Sequence, residues 1–136
     1  MKPFSKISLA FCIICCLTGC NSPAEKDSAE IKFEVTEHNF GQLNFKGNGN
    51  YSFEFTNPGK TPLIINNVKT SCGCTVPQWP KKPLKPGGKG EIKINYDTST
   101  PGMFNKTITV YYNGENSPIR LAIKGSVNYP SSMPEK

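Results

Sequence analysis

The 136-residue chain has few of the residues that catalytic and metal sites use. It contains one histidine, His38, and one tryptophan, Trp79, and only 19% of its residues are charged. We find no matched serine–histidine–acid set, no paired carboxylates and no glycine-rich phosphate loop, so no nucleophile and base can be assigned. No segment of helical length has a 3.6-residue apolar period, which argues against a helical bundle. The sequence therefore predicts neither an enzyme nor a cofactor.

The first twenty residues have the layout of a secretory signal. Lys2 and Lys6 precede an apolar run over residues 7–17, which is shorter than the roughly 20 apolar residues that span a bilayer. Residues 17–20, Leu-Thr-Gly-Cys, resemble a bacterial lipobox, in which the cysteine is lipidated and becomes the first mature residue. We expect a signal peptide over residues 1–19 and acyl chains such as palmitate on Cys20. The competing interpretation is an ordinary signal cleaved elsewhere.

Charge and compartment limit the partners. Without Lys2 and Lys6 the chain keeps 14 basic and 10 acidic residues, a balance too small to indicate nucleic acid. Asn21 is not the aspartate that retains some lipoproteins at an inner membrane, so we expect an outer-membrane lipoprotein, periplasmic or surface-facing. We expect the protein to contact the membrane through its lipid and to bind an envelope protein or a glycan as its partner. Five lysines lie close together in the sequence: Lys81, Lys82, Lys85, Lys89 and Lys93. We interpret them as a solvated loop and one polar strand face, in preference to a patch that binds anionic lipid or polysaccharide.

The mature chain divides into a tether, a domain and a tail. Residues 20–30 are polar and lack periodicity, which is typical of a flexible tether, and residues 129–136 form a C-terminal tail. Between them, residues 31–128 show apolar–polar alternation in short segments separated by turn signals such as Asn57-Pro58-Gly59. The segments are 32–36, 40–45, 51–56, 63–68, 92–97, 107–112 and 119–124. This pattern predicts an all-β, antiparallel immunoglobulin-like β-sandwich of about seven or eight strands, with Phe53 in its core.

Cys72 and Cys74 are the only cysteines outside the signal and the lipidation position. Three interpretations stay open for them. In the first, they are two small, half-buried cysteines at a strand end. In the second, they form a local redox-labile disulfide that a bend at Gly73 permits. In the third, they bind Cu(I) or Zn, and His38 adds one donor. We favour a structural role without a tight metal site, because zinc wants four donors and the monomer offers three at best.

Two further side chains are candidates for a role. For His38 we favour a structural residue that hydrogen-bonds a turn over a ligand. Trp79 lies among prolines and is either a rigid exposed anchor for a partner or a cap on one open end of the sandwich.

Five segments carry a resemblance to a known family. They run in order over about residues 31–127: residues 36–41 (TEHNFG), 55–59 (FTNPG), 72–75 (CGCT), 84–87 (LKPG) and 104–107 (FNKT). The chain resembles the bacterial domain of unknown function 1573, whose members look like immunoglobulin-like domains. Asn39 departs from that pattern, where the family usually carries aspartate after the histidine. The resemblance implies a fold and a compartment and no reaction.

The residues and the resemblance together predict a lipid-anchored cell-envelope module with a non-enzymatic binding or scaffolding role. The alternative is a thiol-redox or copper-handling lipoprotein that uses Cys72 and Cys74.

Overall fold

A computed structural model describes residues 27–132, which form eight strands and no helix. The strands are β1 (Lys32–Phe33), β2 (Glu37–Leu43), β3 (Asn50–Thr56), β4 (Ile65–Thr70), β5 (Thr75–Gln78), β6 (Lys89–Tyr96), β7 (Gly102–Tyr112) and β8 (Ile119–Val127). In this part of the chain, no helix long and apolar enough to cross a membrane is found. The predicted signal peptide, lipidation at Cys20, most of the tether and the last four residues of the tail lie outside the described residues.

The strands form two four-stranded sheets, with the orders β1-β3-β6-β5 and β2-β8-β7-β4. Every neighbouring pair is antiparallel except β2 and β8, which run parallel. That pair arises because the chain leaves the first sheet after β1 and enters the second sheet as β2, on the far side of β8. The predicted all-β sandwich of seven or eight strands is thus confirmed, with one parallel pair added.

The core lies between the sheets and follows the predicted alternation. Phe53 is fully buried opposite Ile92, and the flanking residue Glu54 is exposed. Other alternating positions are at most 1% exposed: Phe55, Ile94, Ile108, Val110, Leu121 and Ile123. Burying such side chains is the main favourable term in forming the domain.

Two differences from the predicted strands change which residues are exposed or paired. Val35 is 44% exposed, because β1 ends at Phe33 and the chain then crosses to the other sheet. β5 was not predicted, since its four residues include Pro77 and lie where the sequence indicated a loop. The structure makes β5 an edge strand, the position in a sheet that tolerates proline.

The last residues of the predicted tether, 27–30, are described by the structure, and one of them lies against the domain. Ala29 is only 3% exposed and belongs to the core cluster, so the segment before Ile31 packs on the domain. Two glycines make room for it. A Cβ on Gly59 would lie 2.5 Å from the Ser28 carbonyl oxygen, and one on Gly114 would overlap the Ala29 carbonyl oxygen. The apolar alternation did not indicate this docking of Ala29, because it uses close backbone contacts at Gly59 and Gly114.

Candidate functional site

Residues 71–74 form a tight turn between β4 and β5, where the chain passes from one sheet to the other. Cys72 and Cys74 are joined there in a disulfide, with their Cα atoms 5.3 Å apart. The Thr70 hydroxyl donates to the Cys72 carbonyl oxygen (2.8 Å) and to the Thr75 carbonyl oxygen (3.2 Å). The Asp97 amide donates to the Cys74 carbonyl oxygen (2.8 Å) and ties the turn to the end of β6.

Of the three interpretations for this pair, the favoured one, two free and half-buried cysteines, was wrong. In an extended strand, Cα atoms two residues apart lie about 6.6 Å from each other, near the upper limit for a disulfide. The turn shortens that distance to 5.3 Å. Gly73 sits in open space, where an added Cβ would meet nothing within 4 Å. Spacing alone could not decide this, since the bend depends on hydrogen bonds to Thr70 and Asp97.

His38 does not join the cysteines. Its ring stacks on Tyr51 with 3.5 Å between centroids and meets the Phe40 ring edge-on at 4.5 Å. Partial burial lowers the pKa of His38 below 6.5 and keeps the ring neutral at pH 7. In the part of the chain that the structure describes, no three His, Cys, Asp or Glu side chains form a metal-binding group. The alternative metal site from Cys72, Cys74 and His38 is therefore not assembled, and His38 has ring contacts where we expected a turn hydrogen bond.

Trp79 follows β5 and packs, half-buried, against the hydrophobic core. The Lys81 ammonium lies 3.1 Å from the centroid of its ring, a cation–π contact. The indole Nε1 is buried and lacks a hydrogen-bond partner among residues 27–132. Trp79 thus packs against the core, and Lys81 covers the ring that the anchor interpretation would expose.

The outer face of the β1-β3-β6-β5 sheet forms an open groove of about 690 Å³. Side chains from three adjacent strands line it: Asn50, Ser52, Val76, Gln78, Lys93 and Asn95. Asn95 donates from Nδ2 to Asn50 Oδ1 (2.5 Å), and Val76 is 56% exposed. The groove was not predicted from the sequence, because one of its walls is β5, a strand that the apolar pattern does not indicate.

Lys93 is the charged residue that lines the groove, and Glu91, which lies beside the groove, balances its charge. The Lys93 ammonium lies 3.0 Å from the Glu91 carboxylate. Hydrogen bonds from Lys93 and Ser52 lower the pKa of Glu91, so the carboxylate stays ionised. The remaining lining groups are amides, a hydroxyl and one apolar side chain. Such a surface suits an extended, largely uncharged ligand with many hydrogen-bonding groups.

The free edge beside the groove is blocked to another strand. The hydrogen bond from the Asp97 amide to the Cys74 carbonyl oxygen sets the alternation of β5 with β6. Pro77, opposite Ile94, then falls at a position whose backbone nitrogen faces away from β6. Proline has no N–H to offer there, which is one way in which proteins protect edge strands. The face of this sheet, more than its edge, is therefore the open surface.

A family model described as a protein of unknown function, DUF1573, matches residues 31–127. The chain belongs to the DUF1573 family. The match covers the range that the sequence resemblance indicated, from the buried Ile31 to the end of β8. No curated protein matches the sequence of this DUF1573 chain.

Solved structures share the fold of this DUF1573 domain. A protein of unknown function from Porphyromonas gingivalis W83 superposes with a TM-score of 0.66 and 21% identity over 78% of this chain. The match spans 51% of that protein, about half its length. The ASH/PapD-like domain 7 of human CEP192 gives 0.65 and 10% identity, covering 78% of this chain and 90% of the domain. The Pseudomonas aeruginosa CupB2 chaperone gives 0.52 and 10% identity, covering 74% and 57%. At these identities the likeness shows an immunoglobulin-like, PapD-like fold.

Proposed function

We propose that this DUF1573 chain is a lipid-anchored, non-enzymatic binding module of the bacterial cell envelope. The observation that carries the binding role is the open groove on the outer face of the β1-β3-β6-β5 sheet. Its lining includes the exposed amide of Gln78 and the exposed apolar side chain of Val76. A chaperone among the proteins of similar fold supports a protein-binding role for such a sandwich. The ligand is an extended segment of an envelope protein or a glycan.

The groove is tested by photo-crosslinking in living cells. A photoreactive residue replaces Val76 in the groove, and the matched control replaces Met103, which is 90% exposed on the other sheet. The groove position is expected to give an adduct of defined mass that the Met103 position does not give. Protease and glycosidase digestion of the adduct then distinguish protein from glycan. Adducts at neither position, or the same adducts at both, would contradict the proposal.

The lipid anchor is tested separately. Cys20→Ser removes the thiol that lipidation needs, so we expect the variant to leave the membrane fraction or to keep its signal. The wild-type chain should stay with membranes after a salt wash, because acyl chains do not depend on charge. A Cys20→Ser protein that stays in membranes with the wild-type mass would refute the lipoprotein assignment.

A second candidate function is thiol–disulfide exchange at Cys72 and Cys74. The disulfide in the turn favours it over copper handling, since sulfur atoms joined to each other are not thiolate ligands. In this reaction an exported dithiol gives two electrons and two protons, becomes a disulfide itself, and leaves Cys72 and Cys74 as thiols. Alkylation and mass analysis in glutathione buffers of graded potential test it. Reduction within the range of periplasmic dithiols supports exchange, and a disulfide that stays closed throughout supports a purely structural bond.

A further inference from the structure

Asn57 holds two distant segments of the chain at one end of the sandwich. Its side chain is fully buried, although it is polar. The amide Nδ2 donates to the carbonyl oxygens of Leu84 (3.0 Å) and Thr61 (2.8 Å). The Oδ1 accepts from the amides of Gly59 (3.0 Å) and Glu30 (3.5 Å). One side chain thus fixes both the N-terminal segment and the loop that contains Leu84.

That loop is strongly basic. Residues 80–89, the lysine loop, end at the first residue of β6 and contain no acidic residue. Four lysines in this loop are exposed: Lys81, Lys82, Lys85 and Lys89. The Gly87 amide donates to the Asn57 carbonyl oxygen (2.7 Å), and the Asn57 amide donates to the Gly88 carbonyl oxygen (3.0 Å). Lys93 is not part of this loop, because it pairs with Glu91 on the sheet face.

The N-terminal segment brings the same end of the domain to the lipid. Ala29 is buried against the domain, so the chain leaves the fold beside Asn57. Cys20 lies seven positions before Asp27, and this stretch spans at most about 25 Å in any conformation. A lipid on Cys20 would therefore hold the end with the lysine loop within that distance of the membrane.

We propose that the lysine loop is a membrane-contact surface that binds the phosphate headgroups of anionic phospholipids. The proposal rests on the lipid anchor of the proposed function and adds an orientation to it. Lysines near an anionic bilayer each favour the bound state about fivefold, roughly 1 kcal/mol, and they act with the acyl chains as a second attachment. β6 runs from Lys89 to Tyr96, so the Cys72–Cys74 turn lies at the opposite end of this strand, about 25 Å from the lysine loop.

Trp79, the single tryptophan, stands directly before the lysine loop and serves as an internal probe. The full-length lipidated protein is reconstituted in vesicles of phosphatidylcholine, with or without phosphatidylglycerol, that carry a headgroup nitroxide quencher. We expect stronger quenching of Trp79 in the anionic vesicles and loss of the difference at high salt, which screens charge. Equal quenching in the two vesicle types, or a difference that persists at high salt, would overturn the proposal.

Matched charge reversals locate the contact. Lys82→Glu, Lys85→Glu and Lys89→Glu together should abolish the difference between vesicles, and each single reversal should lower the equilibrium constant for the membrane-bound orientation by about fivefold or more. The control combines Lys46→Glu, Lys69→Glu and Lys106→Glu, which change the net charge equally outside the loop, and should keep the difference. Loss of the difference in the control would overturn a specific role for the loop.

Vesicle flotation separates the two proposals. A wild-type protein that does not float with neutral vesicles has no lipid anchor, whereas flotation with equal quenching contradicts the lysine contact alone.

Discussion

The two ends of the sandwich are held together by different means. At the Asn57 end, a buried amide binds two segments that each lie 27 residues away along the chain. At the disulfide end, Cys72 and Cys74 close a covalent link between residues two positions apart. A long-range hydrogen-bonding residue orders the tertiary structure, whereas so short a covalent loop removes little entropy from the unfolded chain. The Asn57 end should therefore matter for stability, and the disulfide end mainly for the local shape of its turn.

Phe53 gives the reference for this comparison, because it lies in the core between the two ends. Phe53→Ala removes a fully buried ring and should lower the free energy of unfolding by about 3–5 kcal/mol. Chemical denaturation of the full chain measures it. A cost near zero would mean that the ring is not packed as described.

Asn57→Ala should cost about 2–3 kcal/mol, because it removes four hydrogen bonds made by one fully buried side chain. The control is Asn113→Ala at the same end. Asn113 likewise accepts from the Ile64 amide (2.8 Å) and donates to the Pro62 carbonyl oxygen (2.9 Å), but it is exposed, so water replaces its partners. Its cost should stay below about 1 kcal/mol. Equal losses in the two variants would remove the special role of Asn57.

The disulfide should contribute less than Asn57. A closed loop of three residues stabilises by about 1.5 kcal/mol in the chain-entropy account. Cys72→Ala with Cys74→Ala should therefore match reduced wild-type protein and melt about 6–10 °C below the oxidised protein. If the double variant lost more stability than Asn57→Ala, the ranking of the two ends would be inverted.

The smallest effect concerns pH. Burial lowers the pKa of His38 in the folded state below its ordinary 6.5, so the unfolded chain binds this proton more readily. The contribution of neutral His38 to the free energy of unfolding is complete above pH 6.5 and is lost as pH falls toward the folded-state pKa. The pKa values of Glu91 and Asp97 are also lowered in the folded state, so these carboxylates stabilise the fold while they are ionised. Their contribution to stability is lost only at more acidic pH, where they become protonated. His38→Phe keeps a ring against Tyr51 and should flatten the stability profile between pH 7 and 5; an unchanged slope would exclude His38 as its cause.

The sequence predicted features that repeat every second residue and missed those that depend on distant partners. Alternation identified the buried faces of β3, β6, β7 and β8 correctly, because one face of each strand packs in the core. Asn57 was recognised only as turn chemistry, since its partners Leu84 and Glu30 are remote in sequence. Ala29 is a single small residue in a polar stretch, and nothing nearby shows that Gly59 and Gly114 leave space for it.

The central claim, a lipid-anchored module that carries a closed disulfide, is tested most directly by intact mass. The protein is extracted from membranes and weighed before and after thiol alkylation, without a reducing agent. We predict a chain that begins at Cys20, carries acyl groups and gains no alkyl group until the disulfide is reduced. A chain that begins elsewhere without acyl mass, or two thiols that react at once, would contradict the account.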